Sequence, residues 1–81
     1  MRYRSRDQII AAILRLCSGK TPLNKTRVMY GAYLSYAQIV PYLALLLQRE
    51  LIVKVDKGYS TTAKGLEFLR HYDAMHEGDS E

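Results

Sequence analysis

A single cysteine, Cys17, stands in the 81-residue chain. It cannot close an internal disulfide, which excludes a stapled secreted mini-protein. With two prolines and five glycines the chain is neither collagen-like nor low-complexity, and with 48% hydrophobic and 25% charged residues it is not wholly disordered. The glycines, at 19, 31, 58, 65 and 78, are too scattered for a phosphate-cradling loop. Histidine is equally scarce. His71 and His76, five apart on one helix, point about 140° from each other, which does not chelate a metal as an i, i+4 pair would. With no clustered acids in the body of the chain, the sequence predicts no catalytic or metal-ligating residue, no cofactor and no small-molecule substrate. No cleavable signal is visible after the basic start, so a cytoplasmic location is expected.

Charge is missing from one long stretch. Between Arg27 and Arg49 lie 21 uncharged residues, enough in length to cross a bilayer. That stretch also holds Gly31, Ser35, Gln38, Pro41, Gln48 and four tyrosines, too many polar groups for hydrocarbon. A buried core segment is expected instead of a membrane span. Where charge is present, it is uneven. Residues 1–65 carry eleven Lys/Arg against three acids, a surplus of eight, whereas residues 66–81 carry Arg70 against five acids, a deficit of four. With a pI near 9.4, the body of the chain is an electrostatic match for a polyanion, nucleic acid foremost.

The hydrophobic spacing predicts six elements. Ser5 and Gln8 form a capping box for a first helix, along which Ile9, Ile10, Ile13, Leu14 and Cys17 share one face. Cys17 is expected in the core, with Gly19 as a left-handed stop and Pro22 beyond it. A short helix over about residues 24–30 follows, capped by Asn24 and ended by Gly31. Ser35 and Gln38 form a second capping box opening a helix to about residue 50, in which Tyr36, Ile39, Val40, Leu43, Leu46 and Leu47 make a broad apolar face and Pro41 predicts a bend. Tyr30, Tyr33 and Tyr36 are expected in the core or at its rim. The period then changes to two: Leu51, Val53 and Val55 alternate with Ile52, Lys54 and Asp56. Asp56, Lys57 and Gly58 turn the chain, the glycine supplying positive φ, and residues 59–61 return. Thr62 caps a last helix over about residues 63–76, with Glu67 spaced to meet Arg70 and His71.

Three helices, a lysine-bearing hairpin and a fourth helix predict a mainly α chain with a small β-hairpin, a winged helix-turn-helix of order α-α-α-β-β-α. One such domain covers residues 1–77, and residues 78–81 are an acidic tail. Lys25-Thr26-Arg27-Val28-Met29-Tyr30, then Leu34-Ser35-Tyr36, Tyr42-Leu43 and Leu46-Leu47, resemble the small archaeal winged-helix family of ten-kilodalton chromatin-type DNA-binding proteins. The segment from Gly58 to Leu69 is similar to that family's junction between wing and last helix, with Thr62, Lys64 and Gly65 answering a T-x-K-G pattern. The resemblance covers about residues 6–72. It implies binding to double-stranded DNA with little sequence preference, a nucleoid-associated or transcription-regulatory role, and dimerisation through the last helix.

The residues themselves suggest the contacts. Arg2, Arg4 and Arg6 form an arm that either reaches a minor groove or is an ordinary solvated terminus. Lys25 and Arg27 flank the short second helix, and Lys54 and Lys57 sit on or near the wing, where phosphates are met. Gln38 is the candidate base reader of the third helix, since its amide can pair bidentately with adenine, and Tyr42 could offer its hydroxyl to a phosphate. Leu66, Phe68, Leu69, Tyr72 and Met75 make an apolar arc on the last helix wider than one core contact needs, which predicts a homodimer. A rival reading keeps the uncharged face of the third helix, with Pro41, Tyr42 and Leu45, for a protein partner.

Overall fold

The computed structural model describes residues 5–76. Its elements run α1 (Arg6–Leu16), α2 (Lys25–Gly31), α3 (Tyr36–Gln48), β1 (Ile52–Val55), β2 (Gly58–Thr61) and α4 (Ala63–Met75), the expected order of a winged helix-turn-helix. The uncharged stretch is divided between α2 and α3, which are bent by 110° at their junction, and no single helix is long and apolar enough to cross a membrane.

Each helix starts where the side chains can satisfy its free amides. Ser5 and Ser35 accept from the backbone N–H groups of Gln8 and Gln38, whose side-chain amides in turn accept from the serine N–H groups at 2.8 and 2.9 Å. Asn24 and Thr62 cap α2 and α4. The helix ends depart from the expectation that glycine provides the left-handed turns. α1 closes on Cys17 at φ −87°, and Gly19 does not adopt positive φ. The left-handed positions are taken by Tyr33 (φ 58°), Glu50 (φ 63°) and Asp56 (φ 56°). Tyr33 and Glu50 occupy equivalent places. Leu34 N–H donates to the Met29 carbonyl and Tyr33 N–H to that of Tyr30, and Leu51 and Glu50 repeat the pattern on Leu46 and Leu47. These paired bonds define a Schellman end, and the leucine after each left-handed residue is buried beneath it. In the wing, Asp56 takes the positive φ assigned to Gly58, a conformation that its short polar side chain tolerates.

Gly58 and Gly65 are needed for space. A Cβ on Gly58 would come within 2.8 Å of Pro22, because Leu23 pairs with Tyr59 and adds a one-residue rung to the hairpin. A Cβ on Gly65 would strike the Leu51 carbonyl. The Thr62 hydroxyl donates to the Glu50 carbonyl at 2.6 Å and accepts from the Gly65 N–H at 3.0 Å. The T-x-K-G segment therefore fixes the end of α3 to the start of α4.

The core gathers Ile10, Ile13, Leu14 and Cys17 from α1, Val28 from α2, Ile39, Leu43 and Leu46 from α3, Ile52 and Tyr59 from the hairpin and Leu69 from α4. Several apolar residues expected inside lie outside. Tyr30, Tyr33 and Tyr36 are 70%, 75% and 63% exposed. Tyr30 stands across α2 from buried Val28, Tyr33 is in a left-handed turn, and Tyr36 precedes the buried Ile39–Leu43–Leu46 row. Val40 and Leu47 fall beyond that row's edge and are also exposed. In β1 it is Ile52 that turns inward, so Val53 and Val55 face solvent while Lys54 lies beside Tyr59. α3 runs on through Pro41, which is exposed and lacks the amide that would bond the Ala37 carbonyl.

Candidate nucleic-acid interface

Two of the basic residues share a site. Arg27 of α2 and Lys57 of the wing turn line one open cleft of about 530 Å³, together with residues 21–24. The Leu23–Tyr59 rung holds this cleft in shape by tying the segment before α2 to the hairpin. Lys25 lies beside the start of α3, its ammonium 5.2 Å from the centre of the Tyr36 ring, and the Lys54 ammonium is 5.6 Å from the Tyr59 ring. Among the described residues none of these four cations pairs with a carboxylate. Lys25 and Arg27 lie in a stretch, residues 8 to 49, with five Lys/Arg and no Asp or Glu, while Asp56 of the wing turn lines the cleft beside Lys57 without an ion pair to it. Arg6 belongs elsewhere, lining a groove of about 250 Å³ with Pro41, Tyr42 and Leu45 and a smaller one with Asp7 and Arg49. Arg2 and Arg4 lie outside the described residues.

Gln38 is exposed near the start of α3, but its amide oxygen accepts from the Ser35 N–H. A bidentate contact with adenine needs that oxygen as acceptor and the amide nitrogen as donor. The capping box and the base-reading role compete for one side chain, and the box holds it. Tyr42 is half-buried against the core rather than free at the surface. On α4, Leu69 is buried in its own domain and Phe68 and Tyr72 pack partly on the core, leaving Leu66 and Met75 as the well-exposed members of the predicted arc.

Of the five described acids, Glu67 and Asp73 lie on α4. Asp73 takes both guanidinium nitrogens of Arg15 at 3.1 and 3.2 Å, which ties α4 to α1, and Glu67 lies 3.8 Å from His71. Glu67 thus meets His71 as its spacing predicts. The Arg15–Asp73 pair, 58 residues apart, left no local pattern to find. Cys17 is fully buried, and desolvation pushes its thiol up to about 11, away from thiolate chemistry. Among the described residues no three His, Cys, Asp or Glu side chains gather as a metal site.

The winged helix-turn-helix family model matches residues 3–80, nearly the whole chain. The chain belongs to this family. A relative from Methanocaldococcus jannaschii, an uncharacterized protein, is 39% identical over 62 residues, 76% of the chain. The chain spans only 29% of that archaeal protein's length. Among solved structures, this winged helix superposes on Sso10a-2, a DNA-binding protein from Sulfolobus solfataricus, with a TM-score of 0.74 and 29% identity, covering 89% of this chain and 78% of the other. It also superposes on a protein of unknown function from Listeria innocua, with a TM-score of 0.68 over 90% of this chain and 60% of that one. At 17% identity the Listeria match speaks for the fold alone. The resemblance to small archaeal winged-helix proteins is thereby upheld.

Proposed function

We propose that this winged helix binds duplex DNA without catalysing a reaction, mainly through the phosphate backbone and with weak sequence preference, as a nucleoid-associated or transcription-regulatory protein of the cytoplasm. The observation that carries the reading is that Arg27 and Lys57 share one open cleft, against the single acid Asp56, beside α2 and α3, which carry no Asp or Glu. Cations without carboxylate partners keep their full attraction for a polyanion. In this reading α3 enters the major groove by its N-terminal end while Lys25, Arg27, Lys54 and Lys57 hold the backbone. The likeness to Sso10a-2, named as a DNA-binding protein, supports the same assignment. A homodimer through the outer face of α4, centred on Leu66 and Met75, completes the proposal, and sedimentation at tens of micromolar tests it: a 9.3 kDa monomer contradicts the dimer.

Titration of random-sequence duplex DNA, single-stranded DNA and RNA over a range of salt tests the binding itself. Four to seven phosphate contacts give a slope of log affinity on log salt of about −4 to −6, at roughly −0.9 per contact. The duplex is expected to bind best. Absence of duplex binding at low salt, or binding indifferent to salt, overturns the reading in favour of a protein partner at the Arg6, Pro41, Tyr42 and Leu45 groove.

A further inference from the structure

The exposed flank of α3, next to its buried row, has an unusual surface for a helix facing a polyanion. Tyr36, Val40, Ala44 and Leu47 follow at i, i+4, i+8 and i+11, so they form one stripe along the helix. All four are exposed, Tyr36 by 63%, Val40 by 39% and Leu47 by 37%. From end to end the stripe is about 16 Å long. A cation stands at its N-terminal end, Lys25 over Tyr36, whereas Arg49, after the last turn, lines the groove with Arg6 and Asp7. Apart from the Tyr36 hydroxyl, the stripe has no side-chain hydrogen-bonding group, and the nearby Gln38 amide oxygen is engaged in capping.

Charge at the start of the stripe, from Lys25 with Arg27 on the same short helix, selects duplex DNA as the occupant, and the apolar remainder selects what is read there. In the major groove, base edges present donors, acceptors and a single apolar group, the C5-methyl of thymine. Valine, alanine and leucine side chains gain nothing from the donors and acceptors but exclude water on meeting a methyl. We infer that α3 reads duplex DNA through thymine methyl groups, which Val40, Ala44 and Leu47 cover. This rests on the duplex-binding function proposed above.

The test uses the whole chain and chemically edited duplexes of one length. Replacing every thymine by uracil removes the methyl and keeps the base pairing. Replacing cytosine by 5-methylcytosine adds a methyl at the corresponding carbon of a G·C duplex. The expected result is about a threefold loss or more for each covered thymine methyl removed and a gain on methylated G·C DNA, with the salt slope unchanged in both cases. Val40→Ala, which alters an exposed side chain, should shrink the thymine–uracil difference and leave affinity for the uracil duplex nearly as it was. Equal affinity for thymine and uracil duplexes overturns this inference while leaving duplex binding intact. If no duplex binds at low salt, the proposed function fails and this inference with it.

Discussion

α3 and α4 are each 13 residues long, each is capped by a hydroxyl side chain, and each lays one face on the shared core. Their outer faces are opposites. That of α4 carries Lys64, Glu67, Arg70, His71 and Asp73, and its acids are matched by Arg15 and His71. Its exposed apolar members, Leu66 and Met75, stand among these charges. That of α3 has no charge over its whole length and leaves Tyr36, Val40 and Leu47 exposed. A helix with apolar residues on both sides is normally buried. One side of α3 is buried by the domain, and the exposed stripe beside it is the flank on which the proposed contact rests. The difference separates two kinds of apolar exposure: Leu66 and Met75 set among charged neighbours on α4, and an uncharged stripe with Lys25 at its start on α3.

The largest effect that sharpens this comparison lies within α3. Leu43→Ala removes a buried side chain of the inner face and should cost about 2–5 kcal/mol in denaturant unfolding. Val40→Ala on the outer face should cost well under 1 kcal/mol, since the residue is already partly in water. Equal costs would mean that the outer face is covered within the domain. Pro41→Ala restores an amide to the middle of α3 and should stabilise the protein by about 1–3 kcal/mol, read as a higher urea midpoint. A drop in the midpoint would show that the ring itself packs usefully. Glu50→Gly should add about 1 kcal/mol by relieving the left-handed backbone at the end of α3, with the Schellman bonds kept. Asp73→Asn on α4 should cost about 0.5 kcal/mol at most, because both partners of the ion pair are roughly half exposed, and the loss should vanish in high salt.

Much of the fold was legible in sequence because its signals are local. The two Ser–Gln boxes, the Asn24 and Thr62 caps and the change of period after Glu50 each fall within a few residues and fix the element order. The turns were harder, since Tyr33 and Glu50 do what glycine usually does. The usable signal was the buried leucine after each, Leu34 and Leu51. The inside and outside of α3 could not be separated by periodicity, because Val40 and Leu47 are as apolar as Ile39 and Leu46. The candidate interface was legible in its cations Lys25, Arg27, Lys54 and Lys57 but not in their grouping. The cleft shared by Arg27 and Lys57 depends on the Leu23–Tyr59 rung, a pairing across 36 residues. The overlap at Gln38 was visible from the start, as one amide was assigned both to a cap and to a base.

The most direct measurement of the central claim is the salt dependence of duplex affinity in two charge variants compared with the unaltered chain. Lys57→Ala removes a cation from the cleft beside α2, and Arg70→Ala removes one from the outer face of α4. If the helix-turn-helix and wing carry the phosphate contacts, Lys57→Ala flattens the slope of log affinity on log salt by about one unit on every duplex, and Arg70→Ala leaves it unchanged. Equal slopes for all three proteins, or a flatter slope for Arg70→Ala alone, would contradict the account.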